Sequence, residues 1–485
     1  MNKTLKWLGL FLVTLVLIAL SERSVTAATP RPYDELEFPP LPEVQLPDYD
    51  RYQLDNGIVV YLVQDRELPL VGGTALFNTG SRLEPADKVG LAGLTGSVMR
   101  SGGTAHYSPD ALNEILESRA ASVETSIGGS QGSASFNALS EDLEQVFSLF
   151  AEVVREPAFD ADQFALAKKQ IKGGIARRND DPDNISSREF SKLIYGDESP
   201  YARTVEYDNL DNISRQDLID FYHRSFRPEQ MLLGIIGDFD RDRMKALIAE
   251  KFGDWQQVAA SPLPALPEAP GQSQGGLFFV EQPQLTQSYI QIGHLGGMLK
   301  NPDYPALSVL NGVLNGFGGR LFNEVRSRRG LAYSVYGFWS PRYDYPGVFI
   351  AGGQTRSDAT VPFIEAIFQE IAALRDNPIS QAELDYAKES ILNSFVFNFQ
   401  EPAQTIQRLM RYEFYGYPPD YIFQYQRGIK ATTVEDIQRV AREYLQPDRF
   451  MTLVVGNSAD INPPLSNLNN NINVVDITIP ASQSS

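Results

Sequence analysis

Gly316-Phe317-Gly318-Gly319-Arg320-Leu321-Phe322-Asn323-Glu324-Val325-Arg326-Ser327-Arg328-Arg329-Gly330-Leu331-Ala332-Tyr333 is the stretch on which the reading of this chain turns. A glycine cluster opens an amphipathic segment in which Leu321, Phe322, Val325 and Leu331 are apolar and the arginines face elsewhere. Without a Cβ, a glycine at a helix start lets another backbone come close, which makes Gly318 and Gly319 candidate substrate-binding positions. Arg326 and Tyr333 are seven residues apart, so on one continuous helix they share a face two turns apart. If Gly330 instead caps the helix, Tyr333 enters a following strand (Tyr333, Val335, Tyr336, Phe338) beside it. Either arrangement can aim a fixed cation and a phenol at one extended peptide. The competing reading is a surface arginine and a strand tyrosine that merely pack.

Working outward, the composition narrows the classes. The chain has 485 residues, more than one core usually organises, and 42% hydrophobic with 21% charged residues is ordinary for a folded protein. A formal net charge of −19 argues against nucleic acid as a partner, since phosphate binding needs clustered Lys and Arg. There is no cysteine, which excludes disulfides and thiolate chemistry. The three histidines, His106, His223 and His294, lie far apart without ligand spacing. Lys3 and Lys6 precede an apolar run from Trp7 to Leu20, and Val25-Thr26-Ala27 offers a small-residue cleavage site. This reads as an export signal over residues 1–27, giving a periplasmic or secreted protein, or a membrane-anchored one if the signal stays uncleaved.

Residues 28–50 are proline-rich and expected to be extended. Tyr52-Gln53-Leu54, the turn Asp55-Asn56-Gly57 and Ile58 to Val63 read as a hairpin, and a second strand pair is expected from Val71 to Asn78. Helical periodicity follows around Leu91 to Met99, Ala111 to Arg119, Leu143 to Val154, Asp162 to Asn179, Ile185 to Tyr195 and Ile213 to Phe226. Two strands are expected within Ala121 to Leu139, and Met231 to Ile236 reads as a buried strand. The second half repeats this grammar. Phe164, Ala167, Lys168 and Ile171 recur 220 positions later as Leu384, Ala387, Lys388 and Ile391, and Tyr195-Gly196 and Tyr201 as Tyr415-Gly416 and Tyr421. Asp217, Pro228 and Gly237 return at an offset of 219 as Asp436, Pro447 and Gly456. The reading is therefore α+β, with two homologous lobes at 51–257 and 277–457. A proline-rich linker at 258–276 joins them, and an Asn/Ser-rich tail at 458–485 is expected to be disordered.

At this point the chain resembles the insulinase-like (pitrilysin, or mitochondrial-processing-peptidase-like) zinc peptidases, over roughly residues 45–456. The resemblance rests on Leu54-Asp55-Asn56-Gly57, Gly80-Ser81-Arg82, Gly90-Leu91-Ala92 and Arg320-Leu321-Phe322 through Val335, together with the two-lobe repeat. It implies lobes with mixed or antiparallel sheets packed with helices, forming half of a clamshell chamber. Active members carry His-x-x-Glu-His on the helix after Gly-Leu-Ala, with a further glutamate one long helix later. Here Gly93 and Ser97 stand at the histidine positions, Gly96 at the base, and Gly173 or Gly174 at the last ligand. This chain is expected to bind no cofactor, the zinc being held by a partner subunit. What remains is Arg326 and Tyr333, which in the family reach across the chamber to bind the substrate main chain and the oxyanion. The resemblance thus implies a non-zinc subunit that binds peptide and completes the active site of a zinc-bearing homologous partner, active only in the complex. The alternative is a catalytically inactive structural or peptide-binding homologue. An independent peptidase with a substitute metal site is disfavoured, because His106 is the nearest histidine and Glu114, Glu117 and Glu124 lack a histidine at ligand spacing.

Overall fold

Apolar residues that alternate along one strand and run continuously along the next set the architecture. A computed structural model describes residues 46–256, 265–266, 268–269 and 274–481. The expected export signal, most of the proline-rich segment and most of the linker lie outside the described residues. Strand β1 (Asp50–Gln53) turns through Asn56-Gly57, with Gly57 at φ +100°, into β2 (Val59–Gln64), as the hairpin reading required. Sheet 1 has the order β1-β2-β6-β3-β5-β4, with β3 (Leu70–Phe77), β4 (Ser122–Ile127), β5 (Gly132–Leu139) and β6 (Met231–Gly237). Leu70–Phe77 form one strand rather than the pair expected from Val71 to Asn78. Gly72-Gly73 is no turn, because a Cβ at Gly73 would strike the Phe136 ring packed beneath the strand.

Sheet 2 repeats the plan in the order β12-β7-β11-β8-β10-β9. Its strands are β7 (Gly276–Glu281), β8 (Gln287–Leu295), β9 (Ala332–Ser340), β10 (Val348–Arg356), β11 (Met451–Gly456) and β12 (Ile472–Val474). The strands β2 and β6 pair parallel, as do β7 and β11. The repeat extends to single bonds. Lys168 Nζ donates to the Ile213 carbonyl at 3.0 Å and Lys388 Nζ to that of Thr432 at 2.9 Å. The next residues, Ser214 and Thr433, cap the following helices in capping boxes with Asp217 and Asp436.

The lobes exchange helices. Helix Pro182–Tyr195 of the first lobe packs Ile185, Phe190 and Ile194 against Val280, Met451, Leu453 and Val455 of sheet 2. Helix Pro402–Phe414 of the second packs Ile406, Leu409 and Met410 against Tyr61, Val63 and Leu76 of sheet 1. The central strands of each sheet are thereby buried on both faces, which is why β11 reads Met-Thr-Leu-Val-Val without alternation. Each such side chain contributes about 1.5–3 kcal/mol on burial.

The expected disordered tail is a correction. Strand β12 pairs parallel with β7, and the Val475 N–H donates to the Phe279 carbonyl at 2.8 Å. Asn179 Nδ2 donates to the Ile477 carbonyl at 2.7 Å. Val475, Ile477 and Ile479 face inward while Asp476 and Thr478 face solvent, a period-2 pattern hidden by the polar average of the segment.

Candidate substrate-binding site

The helix carrying Arg326 begins after a turn in which Gly316 adopts φ +79° and the Gly319 N–H bonds the Gly316 carbonyl at 3.0 Å. Arg320 anchors it to Glu383, Nε to Oε1 at 2.7 Å, and Leu321 and Val325 are fully buried. From Phe322 to Arg328 the helix widens into a π-helix. It closes with the Leu331 N–H on the Val325 carbonyl at 3.0 Å, and Gly330 takes φ +60° as the reversal. Tyr333 therefore lies in β9 beside the helix, the second of the two arrangements open from sequence. There the register with β10 slips between Gln354 and Thr355, which pair with Ser334 and Ala332, so Tyr333 is the extra residue of a bulge. Both irregularities, π-turn and bulge, are devices that re-aim side chains next to functional sites.

Their joint result is a stack. The Arg326 guanidinium lies 4.7 Å from the Phe322 ring centroid and 4.8 Å from that of Tyr333. Cation–π attraction of this kind contributes about 0.5–1 kcal/mol at exposed sites. Tyr333 is 85% exposed, so its hydroxyl is available to a ligand. Phe322 escaped the sequence reading as anything but a core residue; its position four before Arg326 was the available signal. Gly318 and Gly319 have packing reasons within the chain. A Cβ on Gly318 would sit 2.6 Å from the Tyr386 ring, and one on Gly319 would strike the Asn315 carbonyl.

The positions of the expected zinc motif lie on helix Leu91–Ser101, which packs against helix Ala161–Ala176 bearing Gly173 and Gly174. Its start at Gly90 is held by the Glu84 carboxylate, which accepts from the Gly90 N–H at 3.1 Å and the Ala92 N–H at 2.9 Å. Burial pushes the Glu84 carboxyl up, against the pull of those N–H groups and Arg203. Gly93 and Ser97 point to solvent, and nothing lies within 4 Å of a Cβ built on Gly93, Gly173 or Gly174. Gly96 differs: its Cβ would come 2.5 Å from the Ile127 amide nitrogen of β4. His106 sits at 3.5 Å from Glu152 and 3.9 Å from Glu156, exposed at a loop. Among the described residues no group of three or more His, Asp or Glu is placed to hold a metal. Glycines and a serine supply no donor set for zinc, so these residues do not fit the ion that the motif would carry.

Known proteins share this plan. The family model described as insulinase (peptidase family M16) matches residues 70–205, and that described as peptidase M16 inactive domain matches residues 212–391. An uncharacterized zinc protease of Mycobacterium bovis is 30% identical over 327 residues, covering 66% of this chain and 73% of the relative. This chain belongs to the peptidase M16 family. The crystal structure of a peptidase M16 inactive domain from Pseudomonas fluorescens is similar at 27% identity and a TM-score of 0.76, covering 86% of this chain and 100% of that one. The periplasmic protease PqqL from Escherichia coli shares the fold at 16% identity and a TM-score of 0.69, covering 91% of this chain and 50% of its own length. Within the M16 fold, then, this chain has glycine or serine where the zinc motif would stand, and it stacks an arginine on an exposed tyrosine in its other lobe.

Proposed function

We propose that this chain is the non-zinc subunit of an exported M16 peptidase, which binds peptide in extended form and completes the active site of a zinc-bearing homologous partner. The observation that carries this reading is the Arg326–Tyr333 stack, aimed by two local irregularities in a chain whose own metal positions are empty of donors. Arg326 presents N–H groups to peptide carbonyls, a charge-assisted contact. The Tyr333 hydroxyl donates to the carbonyl oxygen of the bond under attack as that oxygen gains negative charge, a donor worth about 3 kcal/mol in acyl-transfer sites. Both groups act on the peptide main chain, so the substrate is an unfolded segment. Export is supported by the apolar run from Trp7 to Leu20 and by the periplasmic location in PqqL's description. No helix among the described residues is long and apolar enough to cross a membrane.

The test is mixing. This chain and an M16 homologue with an intact His-x-x-Glu-His are purified separately and combined on a fluorogenic peptide. The expected result is hydrolysis by the mixture, little by either chain alone, and a complex on size-exclusion chromatography. Association without any gain in activity contradicts the proposal.

A further inference from the structure

The two lobes repeat each other with one omission. In the first lobe the turn Ser140–Asp142 leads into helix Leu143–Arg155, and in the second Ser357–Ala359 leads into helix Thr360–Asp376, 217 positions later. The buried residues Val146, Phe147, Leu149 and Phe150 match Phe363, Ile364, Ala366 and Ile367 at that offset. In the first lobe a further helix, Arg241–Phe252, follows β6. It lays Phe252 against Phe147 and Phe150, with ring centroids 5.8 and 6.1 Å apart. In the second lobe no helix of that kind follows β11 among the described residues; the chain runs through the short turn Leu465–Asn467 into β12.

The omission leaves a slot of about 420 Å³, with Ile364 and Phe368 on one side and Leu277, Phe450 and Leu468 on the other. It opens beside β7 and β11, toward the opposite edge of sheet 2 from β9, so it is separate from the Arg326 stack. Its rim is acidic. Glu365 and Asp448 stand at the mouth, both exposed, and neither has a cationic partner among the described residues. An open apolar slot is a place for a large apolar side chain, and carboxylates around it select partners that bring positive charge. The chain's own linker ends at this mouth, since Gly275 and Gly276 line it. From Val258 to Gly276 that linker has no Lys or Arg and carries Glu268, so its charge does not complement the rim.

We propose that this slot docks an amphipathic helix of a partner protein. The helix lies along Thr360–Asp376 as Arg241–Phe252 lies along Leu143–Arg155, and inserts an aromatic side chain where the first lobe inserts Phe252. Its lysine or arginine side chains face Glu365 and Asp448. The partner is held as a helix and away from the Arg326 stack, so this docking is independent of the peptide-binding reading above.

The test uses the full chain and a fluorescein-labelled peptide copying Arg241–Trp255, the helix that fills the matching place in the first lobe. Glu250→Gln and Asp254→Asn leave the peptide basic, and a hydrocarbon staple on the face away from Phe252 holds it helical, since a free peptide of this length is marginal. Binding is read by anisotropy. The expected result is saturable binding that weakens about tenfold or more when the peptide carries Phe252→Ala. It should weaken about three- to tenfold when the protein carries Glu365→Lys or Asp448→Lys. Both rim positions are exposed, so these variants should fold as the parent does, read by circular dichroism; if either does not, the Phe252→Ala peptide decides on the unaltered protein. No binding by the parent peptide overturns the proposal, as does binding indifferent to the phenylalanine or to both rim charges. Binding that emerges only after Leu263→Ser and Leu266→Ser assigns the slot to the chain's own linker and overturns it too. Self-association of the chain that Glu365→Lys abolishes assigns the slot to a second copy, with the same consequence.

Discussion

Gly96 is hemmed in where Gly93 and Ser97 are open to solvent. The two outward positions have room for histidines, whereas a side chain at 96 meets the β4 backbone 2.5 Å away. Helix Leu91–Ser101 lies directly on the strand, and Thr125 Oγ1 bonds the Gly96 carbonyl at 2.5 Å across the contact. Gly93→His is therefore expected to change stability by less than about 0.5 kcal/mol, as exposed substitutions do. Gly96→Ala adds one methyl group against backbone and should cost about 1–3 kcal/mol, even though alanine is the better helix former. Urea unfolding of both variants checks this, and a Gly96→Ala chain as stable as the parent would show that the helix is free to move. At this scale the missing ligands were legible, because histidine and glutamate are either present or not. The close approach behind Gly96 was invisible, since sequence does not state the distance between a helix and a strand.

Elements were legible where their period was. The hairpin at β1–β2 and helices such as Leu143–Arg155 and Pro182–Tyr195 follow from alternation or 3.6-residue spacing. The π-helix at Phe322–Arg328 was not, because seven residues are too short a window to tell its wider turn from an α turn. The wider turn runs into β9 through the Leu331 N–H on the Val325 carbonyl. The same helix owes its orientation to Arg320 and Glu383. Burial alone would raise the Glu383 carboxyl, but the Arg320 guanidinium and the Ser380 N–H and hydroxyl outweigh it and hold the group at about 2, below its ordinary 4.5. As pH falls below 4.5 the unfolded chain takes up this proton before the folded one does. The contribution to stability is thus complete above about pH 4.5 and is lost as pH approaches 2. Glu383→Gln should be less stable than the parent at pH 7, and the gap should shrink by pH 3. A gap in denaturant midpoint that is the same at both pH values contradicts the anchor.

For the whole molecule, the repeat at offsets of 220 and 219 exposed the two lobes, and the paired lysines and capping boxes explain why those residues recur. The helix exchange was not legible, because an apolar stripe does not say which sheet it covers. Gly80-Ser81-Arg82 also acquires its meaning only here. Arg82, almost fully buried, donates to the Gly129 carbonyl at 3.0 Å, pairs with Asp344 and lies 4.7 Å from the Tyr345 ring, so it clasps one lobe to the other. With the lobes so joined, the Arg326–Tyr333 pair sits on one frame, as the proposed action on a partner's substrate requires. The direct measurement is kcat and KM on a fluorogenic peptide for the complex of this chain with a zinc-bearing M16 homologue, comparing the parent with Tyr333→Phe and Arg326→Ala. Tyr333→Phe is expected to lower kcat by about 10²- to 10³-fold and Arg326→Ala also to raise KM, with the complex still assembled. Full activity from both variants in an intact complex would contradict the proposed function.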